Sequence, residues 1–152
     1  MTVRVCFDSS LWNALFNQEE DKDLSAVQSW IQQIDTRKAT LLIPSIVVTE
    51  VFAHPDEVIV KKFDAFLSRS NVEQLDLTVA IARKGGQLRR RLLDANMNLK
   101  TPDAIVIAIA DHHSADKIFS FDHGMLRCNG LFGIQAKICL PSDGHEHPLF
   151  DQ

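Results

Sequence analysis

Residues 101–122 read TPDAIVIAIADHHSADKIFSFD, and the reading of their apolar middle decides the fold. Ile105 to Ala110 could form a buried strand that delivers Asp111-His112-His113 to a metal. Alternatively, Thr101-Pro102-Asp103 starts a buried helix, and Asp103 is the residue that matters. Proline at a first helical position, with Thr before it and Asp after it, is a strong helix start. The Thr hydroxyl can accept from an orphan N–H, and the Asp charge meets the positive end of the helix dipole. Ala104, Ala108 and Ala110 favour helix, whereas the Ile and Val residues favour strand but also occur in buried helices. The stretch from Pro102 to His113 is long for a strand and ordinary for a helix. KIFSF at 117–121 reads as a strand beginning soon afterwards, and consecutive parallel strands need a long crossover. The helix reading supplies that crossover. It leaves Asp111, His112 and His113 at a helix C-terminus, where imidazoles face the negative end of the dipole.

Working outward, Val3–Phe7 reads as a central first strand ended by Asp8-Ser9-Ser10, with a short helix over 11–16 and an acidic loop to Asp23. Leu24, Val27, Ile31 and Ile34 fall at helical spacing and predict an amphipathic helix over 24–35. Residues 40–43 read as a second strand, and Ser45 as the cap of a helix to about Phe52. His54-Pro55 breaks that helix, and Ile59, Phe63 and Phe66 mark another. Residues 72–77 alternate as a strand. Thr78 caps a long helix to about Asn96, weakened and bent at Gly85-Gly86. Residues 136–140 form a last strand. Short apolar strands separated by helices predict an α/β fold, a three-layer α/β/α arrangement around a mainly parallel sheet. One domain over 1–140 is expected, with a loosely held tail over 141–152.

The chain has 152 residues, of which 45% are hydrophobic and 24% charged, as in ordinary soluble proteins. No apolar run is long enough for a membrane span, and MTVRVCFDSS has no signal-peptide pattern. The three cysteines, Cys6, Cys128 and Cys139, form no CxxC pair. They read as free thiols in a reducing, cytoplasmic setting. The net charge is −4, whereas proteins that merely coat nucleic acid are usually basic. If this chain acts on nucleic acid, its carboxylates do something other than bind phosphate directly, and a divalent cation would resolve the contradiction.

Four acids then take on meaning. Asp8 follows the first strand, Glu50 lies in the helix after the second, Asp103 opens the buried helix, and Asp122 follows KIFSF. In a doubly wound sheet, functional groups gather at the carboxyl ends of the strands. Unpaired acids there would repel one another, and hard oxygen ligands at one point suit Mg²⁺ or Mn²⁺. Singly, each acid is as well explained as a turn former or dipole partner.

The strand ending in Asp8-Ser9-Ser10, the IVVTEVF block around Glu50, the TPDAIVIAIA block around Asp103 and SFDHGML around Asp122 together resemble the PIN-domain ribonuclease family, and most closely its VapC-type toxins. The resemblance spans roughly residues 3–140. It implies a metal-dependent endoribonuclease with Asp8, Glu50, Asp103 and Asp122 as catalytic, metal-holding positions and Ser10 and Ser120 beside them. Asp8 and Asp103 would be the central ligands. The family's Thr-x-Asp-x-x-Phe around the last acid is here Ser120-Phe121-Asp122-His123-Gly124-Met125, which keeps the acid. It also implies an RNA substrate, an antitoxin protein partner and a homodimer; Trp12, in the short helix after Asp8, reads as a core or interface residue and offers an apolar dimer contact.

RNA contacts would come from Arg83, Lys84, Arg89, Arg90, Arg91 and Lys100. No aromatic residues interleave with them in sequence, so contact with phosphate is expected. Two rivals stand beside this reading. One is a DHH-type metal phosphoesterase using Asp111-His112-His113, although the first histidine in the chain is His54 and no early His ligand exists. The other is a non-catalytic PIN-like nucleic-acid-binding module. His145-Glu146-His147 is a further metal-binding candidate, and as a pair of histidines in a Pro/Gly-rich tail it is more often incidental.

Overall fold

The computed structural model describes residues 2–145. Its centre is a sheet of five strands, all parallel. The elements run β1 (Val3–Phe7), α1 (Ser9–Asn17), α2 (Leu24–Asp35), β2 (Ala39–Pro44), α3 (Ser45–Phe52), α4 (Glu57–Leu67), β3 (Val72–Leu75), α5 (Val79–Asp94), α6 (Thr101–His112), β4 (Lys117–Phe119), α7 (His123–Leu126) and β5 (Lys137–Cys139), followed by a 3₁₀ turn over Pro141–His145. The strand order is β3-β2-β1-β4-β5. Helices cover the sheet in the three-layer α/β/α arrangement, which explains why Val5, Cys6, Phe7 and Leu41, Leu42, Ile43 are buried without alternation. Val5 pairs with Leu41 on one side and Lys117 on the other, so β1 is central.

The stretch at 101–112 is a helix. Ala104 and every residue from Val106 to Ala110 are buried, and α6 packs against α5, α3 and β2. A helix apolar on all sides is a buried helix, and here the β-branched residues fill the layer between α5 and the sheet. The start differs in detail from expectation. Lys100 is the N-cap, no side chain caps the helix, and Thr101 is its first residue. Likewise Pro44, not Ser45, precedes α3, and Ser45 is its first residue. Thr78 does cap α5, its hydroxyl accepting from Ile81 N at 3.2 Å.

Gly85 and Gly86 do not interrupt α5. A Cβ at Gly85 would lie 3.6 Å from both the Ala104 carbonyl oxygen and Ala108 Cβ, an ordinary contact distance where α5 meets α6. β3 and β4 end earlier than their apolar runs, at Leu75 and Phe119. In β4 side chains take over from the ladder: Phe121 N donates to Ser10 Oγ at 3.0 Å and Asp122 N to Ser120 Oγ at 3.0 Å. The short α7 has no sequence pattern of its own. It is nucleated by Asp122, whose carboxylate accepts from Met125 N at 3.1 Å.

The start of the segment expected to be loose is docked. Trp30 Nε1 donates to the Pro141 carbonyl at 3.0 Å, and Gly144 packs so closely on the Phe119 and Trp30 rings that a Cβ there would lie 2.7 Å from Phe119. Turn chemistry here serves to fit the chain against two rings. Trp12 packs into the core: it is 3% exposed, with ring centroids 5.0 Å from Phe63 and 5.5 Å from Phe7. Cys6, Cys128 and Cys139 are free and buried. No helix among the described residues is long and apolar enough to cross a membrane. The side chains of His145, Glu146 and His147 lie outside the described residues.

Candidate functional site

The strand order reverses direction at β1, which has β2 on one side and β4 on the other. At such a switch point the loops beyond the carboxyl ends part and leave a crevice. Asp8 leaves β1 there, and Asp122 follows the end of β4. The N-terminal turn of α6 brings Asp103 to the same edge, and α3 brings Glu50. All four acids line one cleft of about 260 Å³.

Asp8 is held most firmly. As the N-cap of α1 it accepts from Ser10 N at 3.0 Å and Leu11 N at 3.4 Å, and Ser10 Oγ donates to the same oxygen. The Ser10 hydroxyl in turn accepts from Phe121 N, tying the first acid to the chain leaving β4. Ser120 adds a side-chain hydrogen bond to Asp8. Even so, Asp8 is 3% exposed, and burial pushes its carboxyl up to about 6. The hydrogen bonds from Ser10, Ser120 and Leu11 oppose that rise, and the charge of Asp103 adds to it. Asp103 is half-buried, and its carboxyl is also raised, first by desolvation, then by Asp122 and Glu50, with Lys100 pulling the other way. Mutual repulsion of this kind requires proximity. Glu50 is exposed and accepts from Ser9 Oγ at 3.2 Å.

The described residues contain no group of three or more His, Cys, Asp or Glu side chains drawn tightly enough together to hold a metal ion; the acids stand around the cleft. Their chemistry fits a hard divalent cation nonetheless. Every acidic donor is a carboxylate oxygen, and the mutual charge has one lysine, Lys100, to offset it in the cleft lining. Mg²⁺ keeps several waters and takes only one or two carboxylates directly, so acids spaced around a wet cleft are compatible with it.

Of the basic residues, only Lys100 lines this cleft. Arg89 is half-buried and its Nε donates to the Leu99 carbonyl at 3.1 Å, bracing the connection between α5 and α6. Arg90 pairs with Asp94 at 3.3 Å on the exposed face of α5. Arg83, Arg90 and Arg91 surround a shallow hollow on that face. Lys84 lies at the other end of α6, its Nζ 3.0 Å from His112 Nδ1. The Asp-His-His triplet is at that end too. Asp111 accepts from Gln135 N and Ala136 N, both at 2.9 Å, and His113 offers its carbonyl to Arg4. It therefore lies away from the carboxyl edge of the sheet. Sequence reasoning passed over Ser9 and Asn13, which both line the cleft. Their signal was available: four residues apart on the helix following Asp8, they share a face.

The sequence matches the family model of the PIN domain over residues 5–131. The chain belongs to the PIN domain family. No curated protein matches it by sequence. Among solved structures, a chain of VapBC2 from Rickettsia felis, bound to a DNA fragment from their promoter, aligns at TM-score 0.63 with 18% identity, covering 90% of this chain and 97% of that one. VapC20 of Mycobacterium tuberculosis, a toxin that cleaves the sarcin-ricin loop, aligns at TM-score 0.64 with 13% identity, covering 88% and 98%. A toxin-antitoxin complex from Klebsiella pneumoniae aligns at TM-score 0.61 with 19% identity, covering 90% and 97%. The fold of this PIN domain is that of VapC-type toxins.

Proposed function

We propose that this PIN domain is a metal-dependent endoribonuclease that hydrolyses RNA phosphodiester bonds. The observation that carries the reading is the convergence of Asp8, Glu50, Asp103 and Asp122 on one cleft at the carboxyl edge of the sheet. Membership in the PIN family and the fold shared with an RNA-cleaving toxin support it. Asp8 and Asp103 would hold Mg²⁺ or Mn²⁺ directly, with Asp122 and Glu50 completing the shell or acting through water.

When bound, the ion supplies a lowered water pKa and positive charge for the leaving oxygen. The chain's own part is positioning. Ser10 and Ser120 fix the Asp8 carboxylate, and Ser9 holds Glu50. Lys100 at the rim meets phosphate charge that the acids alone would repel. Water attacks phosphorus, the bond to the 3′ oxygen breaks, and the products carry a 5′-phosphate and a 3′-hydroxyl. The proton lost by the water goes to solvent or to a neighbouring carboxylate.

The toxin-antitoxin neighbours support a regulatory partner. An apolar groove of about 400 Å³, lined by Trp12, Phe16, Ile31, Phe63 and Phe66 with Lys62 also in its lining, would accept an apolar segment carrying an acidic residue. Assembly as a homodimer and a cytoplasmic setting complete the proposal.

The deciding experiment is digestion of a mixed RNA pool with Mg²⁺, Mn²⁺ or EDTA, wild type beside Asp103→Asn. Metal-dependent cuts with 5′-phosphate ends, absent in the variant, are expected. Equal cutting by both proteins would place the activity elsewhere. Absence of cutting by either, with unchanged RNA binding, would favour the non-catalytic module.

A further inference from the structure

A hollow of about 300 Å³ lies at the C-terminal end of α6, lined by Lys84, Leu88, Ile107, His112 and Phe132 among others. It continues into a smaller one shared by Lys84, Gln87, Arg91 and Phe132. At about 1.5 Å of rise per helical residue, His112 stands about 14 Å along α6 from Asp103. This second hollow is therefore separate from the acidic cleft.

Its walls are of two kinds. One wall is the exposed face of α5, which carries Arg83, Lys84, Arg90 and Arg91 against a single carboxylate, Asp94. Arg90 takes that carboxylate, and the ion pairs of the described residues leave Lys84 and Arg91 without one. Asp111, the acid in the hollow's lining, already accepts two backbone N–H groups. With Lys84 and Arg91 against Asp111, the lining of the two hollows is nonetheless net positive in a chain of net charge −4.

The other wall is a tight turn. Ile134 N donates to the Leu131 carbonyl at 3.1 Å, and the two residues between have positive φ, 49° at Phe132 and 79° at Gly133. That is the pattern of a type I′ turn, whose first central position favours Asn, Asp or Gly. A phenylalanine there stores backbone strain, yet its ring is 40% exposed. Burial offsets that strain only in part. An exposed aromatic face next to unpaired cations is how single-stranded nucleic acid is held without sequence readout.

We infer that this hollow is a subsite for one nucleotide of single-stranded RNA, its base stacked on Phe132 and its phosphate held by Lys84 and Arg91. The inference rests on the ribonuclease reading and adds where substrate remote from the cut is gripped. Gln87 supplies an amide for a base edge, and His112, sharing its Nδ1 with Lys84, positions the lysine.

The test is fluorescence anisotropy with a 5′-fluorescein-labelled single-stranded RNA of mixed sequence, in EDTA so that no cutting occurs. Phe132→Asn suits the backbone of the turn and removes the ring; it should weaken binding about tenfold, and Phe132→Trp should restore it. The Lys84→Gln/Arg91→Gln double variant should lower the slope of log K against log salt by about 0.7 for each phosphate no longer neutralised. Unchanged affinity and slope in these variants would overturn the subsite, even if wild type cuts RNA. RNA affinity that depends on Phe132, in a protein that never cuts RNA with metal, would keep the subsite and remove the nuclease. Sedimentation of the same proteins covers a second copy of the chain as occupant. Dimers lost in Phe132→Asn, with RNA affinity intact, would make this face a subunit contact and overturn the inference.

Discussion

The two ends of α6 differ in almost everything except the helix that joins them. At the N-terminal end stand Asp103, Asp8, Glu50 and Asp122, with Lys100 the cation in the cleft lining. At the C-terminal end stand Lys84, Arg91 and His112, with Asp111 turned to backbone N–H groups. Between them, Ala104 and Val106 to Ala110 are buried. The helix dipole favours anions at its start and cations at its end, so each cluster sits where the backbone lowers its electrostatic cost. A fully apolar helix thus serves as a strut whose chemistry is displayed only at its tips.

If the acidic tip carries the chemistry and the basic tip carries grip, their variants should fail in different constants. Asp103→Asn should lower kcat for RNA cleavage by about 100-fold or more, since it removes a group on which charge stabilisation of the transition state depends. Phe132→Asn should raise KM about tenfold and leave kcat near wild type. Steady-state kinetics on one RNA measures both. A fall in kcat with Phe132→Asn, or a pure KM effect with Asp103→Asn, would break the division between the ends.

The acidic end also has a signature in stability without metal. Asp8 takes up its proton in the folded state at about 6, against an ordinary 3.8. A raised carboxyl contributes stability that is fully present below about pH 4 and lost as pH rises through the folded value near 6. Between those limits the folded chain binds the proton more tightly than the unfolded one. The shift amounts to about 3 kcal/mol. Asp8→Asn keeps a good N-cap and cannot ionise, so its stability relative to wild type should rise by about that amount between about pH 4 and pH 7. Urea unfolding in EDTA at the two pH values reads this difference directly. A flat difference across that range would mean that the Asp8 carboxylate is better solvated than its burial implies.

The two ends are also unequally legible in sequence. The acids announce themselves because each stands at a boundary where a strand or helix ends, and parallel topology brings such boundaries to one edge. The helix at 101–112 is readable from Pro102 and Asp103 and from its length. The basic end is half readable. Arg83 to Arg91 appear as a charged helix face, but Phe132 lies far along the chain and joins them only through the turn at 131–134. No local pattern could supply that aromatic. The docking of Pro141 and Gly144 on Trp30 and Phe119 is hidden for the same reason. Caps fail at the level of one residue, at Ser45 and Thr101, because a neighbouring backbone conformation takes the boundary.

Asp111 tests whether the basic end is built or incidental. Its carboxylate holds the backbone of Gln135 and Ala136, just beyond the turn that presents Phe132. Asp111→Ala leaves those two donors unmatched, and Ala136 is buried. A loss of about 1–3 kcal/mol in unfolding free energy is expected, with a drop in RNA affinity because the turn is no longer held. Asp111→Asn, which keeps an acceptor oxygen, should retain most of both. Lost stability with unchanged affinity would detach the turn from RNA binding.

The smallest expected effect lies midway between the ends. Gly85 is where α5 approaches α6, yet the atoms nearest to a Cβ added there would be 3.6 Å away, ordinary contact distance. Alanine should therefore fit, gain packing on Ala108 and remove the entropic cost of a glycine inside a helix. Gly85→Ala should raise stability by about 0.5–1 kcal/mol, read as a shift in the urea midpoint at constant m. Because the substitution adds no charge and moves neither tip, kcat and KM should both stay at wild-type values. A destabilised Gly85→Ala would mean that the helices meet more closely than 3.6 Å allows. A stabilised variant with altered kcat would mean that the strut transmits its packing to the acidic cleft, and that the two ends are coupled through the helix they share.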